Sequence, residues 1–556
     1  MSPESAKLTA NQQCRTTTFS AQLPSIFPIS ELPPELFALV LQFSLPRIDP
    51  MGWIWKPDEC IPYIRELYKL RRVSTAWRDA IDGTPSLWML VSSTWPREVV
   101  DTALLRSAAG PLIVHMPRSC VSTSSSREFI HLVNSHRSRW VAAVLALPGE
   151  MLPEITEAPI PRLHTLKLAL ARGSITWGNN RIIPCTPTFV DTLANLEHLN
   201  LNHFLFDWEE VAGTFRKLRT LMLINQRHCI TFNQLFQIIG NNLLLEEIGL
   251  IDIEPSGGSP VLWNPDPVLP PQLRIFRVSG RVELLKDMIS RIQLPPTLET
   301  LEIVATASRS DNDASLWIKM MSPLSATIQK LHEKHGGSSI YLMDEAKCIW
   351  KTETRDTGFR LKFRNLGPAR ALKCVASLAN TLRCAKNVRN LSFATESTFI
   401  EDADILAALI TIQTLTFIQI SIGVRNPQLA RFLEALGTTN PETNSYSISF
   451  PSLKHLKLRK WRSDIDGVTQ AMKQRYSMGL GVEASRPHHK LLVDFTASRA
   501  VWFEDPERPK VIFSMDKIKE LRDIEGVRYV RSGCSVKQPG MLAVVWSEEE
   551  EREVWG

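Results

Sequence analysis

The run Leu163-His164-Thr165-Leu166-Lys167-Leu168 decides how most of this chain folds. Leu166 and Leu168 stand two apart, the period of a β-strand with one buried face, and Leu163 stands three earlier at a lead-in turn. Lys167, between the two leucines, then points the other way. A single such hexamer arises by chance in any leucine-rich sequence, but this one recurs. Further copies carry Leu196, Leu199 and Leu201; Leu218, Leu221 and Leu223; Leu245, Ile248 and Leu250; Leu273, Phe276 and Val278; and Leu298, Leu301 and Ile303. After a gap come Val388, Leu391 and Phe393, a weaker copy at Leu415, Ile418 and Ile420, and a last one at Leu453, Leu456 and Leu458. Adjacent copies are 22 to 38 residues apart. The intervening positions Asn200, Met222, Arg277, Glu302 and Lys457 are mostly polar and suggest a mixed, mildly basic strand face. Helical spacing fills 232–239, 283–292 and 428–436 between copies. A strand-plus-helix unit buries its apolar face only by stacking on its neighbours, so an α/β array around a mainly parallel sheet is expected.

Upstream of the array, residues 29–88 follow a different period. Ser30 is placed to cap a helix, with Glu31 and Glu35 near its positive end and Pro33 and Pro34 at its start, where a missing N–H costs least. Leu36, Leu39, Val40 and Phe43 share one face of that helix. A second helix is expected to carry Leu67, Leu70, Val73, Trp77 and Ile81 on one stripe, with Arg71, Arg72, Arg78 and Asp79 on the other side. Pro85-Ser86-Leu87-Trp88 closes the module.

Leu32-Pro33-Pro34-Glu35-Leu36 opening the first helix, Leu70-Arg71-Arg72-Val73-Ser74-Thr75-Ala76-Trp77 in the second and Leu87-Trp88 at the end resemble the F-box in content and order. The stretch 47–62, which holds Trp53 and Trp55, is longer than the usual short link of that family. The hexamers resemble the irregular leucine-rich repeats that often follow an F-box. This resemblance implies an α/β protein: a small N-terminal helical F-box, then an irregular leucine-rich-repeat solenoid with a curved, mainly parallel inner sheet. It also implies a non-catalytic substrate receptor of a Skp–cullin–F-box ubiquitin ligase, which binds the Skp adaptor and through it a cullin. The residues it assigns to the adaptor contact are Leu32, Pro33, Leu36, Leu39, Val40, Leu70, Val73, Trp77, Leu87 and Trp88, some of which must instead hold the helices together. The solenoid would hold a protein substrate of unspecified identity. The rival expectation is a free-standing leucine-rich-repeat interaction scaffold whose helical start is only a cap, which requires Leu36 and Trp77 to be buried.

Composition sets the outer bounds. At 556 residues the chain exceeds one ordinary core, and 44% hydrophobic with 22% charged residues reads as globular. A net charge of +6 without basic runs interleaved with aromatics argues against a nucleic-acid face. Nine scattered cysteines, none in a Cys-x-x-Cys pair, fit reduced thiols in the cytosol or nucleus. Residues 1–25 lack the apolar core of a secretory signal, and the uncharged stretch 405–424 reads as a buried helix running into a strand and not as a membrane span.

The expected organisation is a disordered tail at 1–28, the F-box at 29–90, a linking strand–helix–strand region at 91–160, repeats at 161–303, an insertion or distorted repeat at 304–387, repeats at 388–460, a capping region at 461–546 and an acidic tail at 547–556. Within the insertion, 322–335 reads as helix, and 339–343, 348–352 and 359–363 read as strands. Residues 119–126 read as a polar loop. No phosphate loop, Gly-x-Gly-x-x-Gly or His-Glu-x-x-His pattern occurs. His332 and His335 could share a helix face but lack a third metal ligand nearby, and Asp311 and Asp313 lack the acids that complete a calcium loop. No catalytic, cofactor or metal residues are expected.

Overall fold

The computed structural model describes residues 32–46, 60–117, 123–171, 181–183, 186–226, 230–254, 269–307, 314–343, 347–352, 357–366, 388–393, 414–421, 453–459, 491–496 and 527–533, with a few isolated positions between them. The tail at 1–28, the link tryptophans Trp53 and Trp55, the helix expected at 428–436 and the acidic terminus lie outside the described residues. The chain divides into two compact units, Met1–Ile113 and Val114–Gly556.

The first unit contains helices α1 (Pro34–Ser44), α2 (Cys60–Leu70) and α3 (Thr75–Asp82), a tight helical turn Pro85–Trp88, strand β1 (Leu90–Ser92) and helix α4 (Arg97–Arg106). Helix α1 begins at Pro34, not after Ser30, which lies outside the described residues. Pro33 precedes a proline and is therefore pushed out of the helical region, to φ −51° and ψ 140°, so no helix can start before Pro34. The second helix of the sequence reading is two helices. Ser74 adopts extended geometry and its Oγ accepts the Trp77 N–H at 3.2 Å, capping α3 and ending the stripe between Leu70 and Thr75.

The chain leaves the first unit inside β2 (Leu112–Met116). The second unit then runs α5 (Thr123–Asn134), β3 (Trp140–Leu147), α6 (Leu152–Thr156), β4 (Thr165–Leu170), β5 (Arg181–Ile183), α7 (Pro187–Leu193), β6 (His198–Asn202), β7 (Phe204–Phe206), α8 (Trp208–Val211), β8 (Thr220–Ile224), α9 (Phe232–Asn241), β9 (Glu247–Ile251), β10 (Ile275–Arg281), α10 (Val282–Ile289) and β11 (Thr300–Thr306). Helices α11 (Ala314–Met321) and α12 (Ser325–His335) follow, then β12 (Ser338–Met343), β13 (Lys347–Thr352), β14 (Gly358–Arg364), β15 (Val388–Phe393), β16 (Phe417–Ser421), β17 (His455–Arg459), β18 (Leu491–Thr496) and β19 (Val527–Gly533). Helix α5 takes in Thr123–Ser126, so the polar loop expected at 119–126 does not extend past residue 122.

Every copy of the hexamer lands on a strand of one mixed α/β sheet. From β4 through β6, β8, β9, β10 and β11 neighbours pair in parallel, and β3 joins β4 on the other side. Leu166 pairs in register with Leu199, Leu199 with Leu221, Leu221 with Ile248, Ile248 with Phe276 and Phe276 with Leu301. All of these side chains are buried, and so are the lead-in residues Leu163, Leu196, Leu218, Leu245, Leu273 and Leu298. The row is a continuous apolar seam in which each leucine is covered by the next strand's.

Two devices hold the strand ends. His203, Asn225, Asp252 and Asn365 directly follow β6, β8, β9 and β14, with φ of 62°, 54°, 52° and 59°. These are residue types that tolerate the left-handed region. Asn242, after α9, accepts the Leu218 N–H at 2.8 Å and donates to the Phe215 and Ile238 carbonyls at 3.0 and 2.6 Å. It thereby satisfies backbone groups that burial would leave unpaired.

Within the region 304–387, strands β12, β13 and β14 are built into the same sheet. Strand β14 pairs in parallel with β11; β13 pairs antiparallel with β14 and with β12; and β12 pairs in parallel with β15. From β15 the sheet continues in parallel through β16, β17, β18 and β19. Among these strands β13 alone is reversed. Gly336, with φ +79°, ends α12 at the Gly336-Gly337 turn.

Candidate functional site

Helix α1 has two apolar faces. Phe37 and Leu41, with Leu45 just beyond the helix, are buried in the first unit, and the Phe37 ring meets Trp77 edge-on at 5.1 Å. The stripe Leu36, Leu39, Val40 and Phe43 is turned outward, 50%, 47%, 42% and 89% exposed. Val73, in the break between α2 and α3, is 59% exposed. Pro33 is exposed, and Leu32, Leu70 and Trp77 are partly covered. Leaving a large apolar side chain in water forgoes roughly 1.5–3 kcal/mol of burial. Four on successive turns of one helix therefore constitute a surface that folding of the first unit does not use.

Leu87 and Trp88, grouped with this surface in the sequence reading, sit in the interior. Trp88 is buried, its indole Nε1 donates to the Ile81 carbonyl at 2.9 Å, and the Tyr63 hydroxyl donates to the Leu87 carbonyl at 3.0 Å. The guanidinium groups of Arg71 and Arg106 lie 5.5 and 5.6 Å from the Trp88 ring centre, and both bond Asp82 at 2.9 Å. Trp88 and Leu87 are thus the pin that fixes α2, α3 and α4 while α1 shows its second face. Bulk and position in the sequence could not separate these roles.

The second candidate surface is the face of the sheet opposite the apolar seam. Lys167, Asn200, Met222, Gly249, Arg277, Glu302, Arg360, Lys351, Ser339 and Asn390 are successive register partners across ten strands, so they form one row. Its start is polar but covered: Lys167, Asn200 and Asn202 are buried, and Asn225 Nδ2 donates to Asn202 Oδ1 at 3.1 Å. Its middle is charged. Arg277 pairs with Glu247 and lies 3.6 Å from Glu302, which Arg360 reaches at 3.4 Å. A parallel ladder runs along the strand starts, with Glu197 between His164 and Arg219 at 3.5 and 3.6 Å, Arg219 on Glu246 at 2.7 Å, and Arg274 on Glu299 at 2.8 Å. The hydrogen bond from Arg274 holds the Glu299 carboxyl below the usual carboxylate range. Alternating charge at successive strands explains why so polar a face is stable across a wide sheet.

The histidine pair of the sequence reading is split by burial. His332 lies in the interior between Trp350 and Phe359, with ring centres 5.3 and 5.5 Å away, and among the described residues neither ring nitrogen has a hydrogen-bond partner. Burial pushes its pKa down to about 4, so it is neutral at physiological pH. Among the described residues no three His, Cys, Asp or Glu side chains gather as metal ligands would, and no described helix is long and apolar enough to cross a membrane. No protein-family model matches the chain, and no curated protein matches its sequence.

Proposed function

We propose that this chain is a non-catalytic substrate-recognition adaptor of a Skp–cullin–F-box ubiquitin ligase. One observation carries the reading: the outward face of α1, with Leu36, Leu39, Val40 and Phe43 exposed on successive turns beside a separately filled core. A helix with a spare apolar face suits insertion into a partner's groove. The F-box-like order of Leu32-Pro33, the Val73 break, Trp77 and Leu87-Trp88 gives that partner as the Skp adaptor, with a cullin recruited through it. Leu32, Pro33, Leu36, Leu39, Val40 and Val73 are then contact residues, Leu70 and Trp77 border them, and Leu87 and Trp88 support them from inside.

The second unit, in this reading, is an irregular leucine-rich-repeat solenoid. Its mainly parallel sheet is the curved inner wall, and the charged row from Arg277 to Lys351 faces the protein substrate. Ubiquitin transfer belongs to other subunits, and the setting is the cytoplasm or nucleus. A free-standing scaffold with a helical cap would require Leu36 and Trp77 to be buried; Leu36 is 50% exposed and Trp77 is partly covered.

The test is co-expression with a Skp adaptor followed by size-exclusion chromatography. Wild type is expected to co-elute one to one with the adaptor. A Leu36→Ala/Leu39→Ala/Val40→Ala variant is expected to elute alone with its circular dichroism unchanged, since interface hot spots cost about 2 kcal/mol or more each. A folded wild-type chain that elutes alone would overturn the ligase reading and favour the free-standing scaffold.

A further inference from the structure

The charge alternation of the sheet's polar face fails at one place. Across β9, β10, β11 and β14 the chain of ion pairs runs Glu247, Arg277, Glu302, Arg360. The next strand should offer an acid. It offers Lys351, the register partner of Arg360. Like charges directly opposite each other destabilise an antiparallel pair, so this position works against the sheet it belongs to. Among the described residues Lys351 has no carboxylate partner; its ammonium rests 5.0 Å from the centre of the Tyr341 ring. Among the described residues Arg360 has one carboxylate neighbour, Glu302, which it shares with Arg277, and its side chain is 44% exposed. Strand β14 repeats the cationic choice on the same face at Lys362 and Arg364; Arg364 lies 3.5 Å from Asp252 and is 37% exposed.

The reversed strand β13 lies between β14 and β12 and places Lys351 opposite Arg360. On the opposite side of the same strands, Cys348, Trp350, Phe359, Leu361 and Phe363 fill the interior completely, so the two faces are cleanly separated. Lys351 and Arg360 oppose each other in register on a partly open face, Lys351 turned toward Tyr341 of β12 and Arg360 toward Glu302 of β11, and a guanidinium and an ammonium flanking one position match an oxyanion.

We propose that Lys351 and Arg360 form an anion subsite that receives an oxyanion side group, carboxylate or phosphate, of an extended protein segment lying across the sheet. The inference rests on the reading of this face as the substrate-binding wall. The bound anion restores the alternation that Lys351 breaks and relieves the repulsion between the two cations.

The probes are three fluorescent peptides of equal length, carrying clustered glutamates, phosphoserines or glutamines, titrated by anisotropy into the full-length chain at low and physiological salt. A Lys351→Gln/Arg360→Gln variant is compared with an Arg274→Gln/Arg281→Gln variant, which removes the same charge elsewhere on the second unit. The wild type and the control variant are expected to bind an anionic peptide at least tenfold more tightly than the glutamine peptide, and the Lys351/Arg360 variant is expected to lose that preference. The glutamate and phosphoserine arms distinguish a carboxylate from a phosphate as the preferred group. Equal anionic binding by the Lys351/Arg360 variant, equal loss in the control variant, or no preference over the glutamine peptide would each overturn the subsite. Retained co-elution of the same variant with the Skp adaptor separates failure of this site from failure of the ligase reading.

Discussion

Helix α1 and the repeated strands treat their apolar residues in opposite ways. In the strands every residue of the apolar seam has a neighbour one strand away that covers it, and Leu199, Leu221 and Ile248 are inaccessible to water. In α1 the apolar residues outnumber the positions that the first unit can cover, so Phe37 and Leu41 go inward while Leu36, Leu39, Val40 and Phe43 remain outside. The difference is geometrical. A strand in a sheet has two faces, and alternation assigns each residue to one of them. A helix presents apolar residues around a wider arc, and whatever its neighbours do not cover is available for something else. Apolar residues in the strands therefore report on the fold, and the surplus ones on the helix are left over from it.

The comparison can be broken by substitutions that exchange the two behaviours. The largest effect is expected at the pin of the first unit: Trp88→Ala should cost about 3–5 kcal/mol, read as a loss of stability in chemical denaturation. In the seam, Leu221→Ala should cost about 2–5 kcal/mol by the same measurement, since both register neighbours, Leu199 and Ile248, would face a cavity. A value near zero there would mean the seam is not close-packed. Asn242→Ala leaves the Leu218 N–H and two carbonyls without their side-chain partner, and a loss of about 1–3 kcal/mol is expected. At the bottom of the scale, Leu36→Ala should change stability by no more than about 0.5 kcal/mol. A cost of 2 kcal/mol or more would show that this face is core after all.

His332 sharpens the contrast through pH. Its folded pKa, about 4, lies below the ordinary value near 6.5, so the unfolded chain binds the proton more readily. Its contribution to stability is complete above about pH 6.5 and is lost as pH falls toward 4. His115, likewise pushed down to about 4 by burial, acts in the same direction. A His332→Phe variant should therefore lose part of the wild-type drop in denaturation midpoint between pH 7.5 and pH 5. An unchanged drop would place the responsible groups elsewhere.

Much of the second unit was legible because strand spelling is local. Leu-x-x-Leu-x-Leu states which residues turn inward and where the lead-in turn lies, and the strands read at 339–343, 348–352 and 359–363 fall within a residue or two of β12, β13 and β14. Their pairing order was not legible, because alternation within a strand says nothing about which neighbour it will meet or in which direction. The left-handed residues His203, Asn225, Asp252 and Asn365 were missed for a related reason: three are ordinary loop residues taken singly, and only their common position after a strand gives them meaning. In the first unit the exposed stripe of α1 was visible as a stripe, but with Phe37 and Leu41 also apolar the sequence could not say which face was the inner one. The break before α3 did have a signal, since Ser74 precedes Trp77 by the spacing of a capping bond.

The strand order carries a consequence for how the chain is assembled as it is made. From β3 to β11 each new strand of this sheet pairs with the sheet strand made before it, so the sheet can grow in step with the emerging polypeptide. At β11 that rule is suspended: the strand that will pair with it is β14, and β12 and β13 come off the ribosome first. Until Arg364 has emerged, the nascent chain carries an open parallel edge at Thr300–Thr306 beside a hairpin with nowhere yet to attach. Translation through Ala307–Arg364 is thus the interval in which a ribosome-bound chaperone has the most to protect.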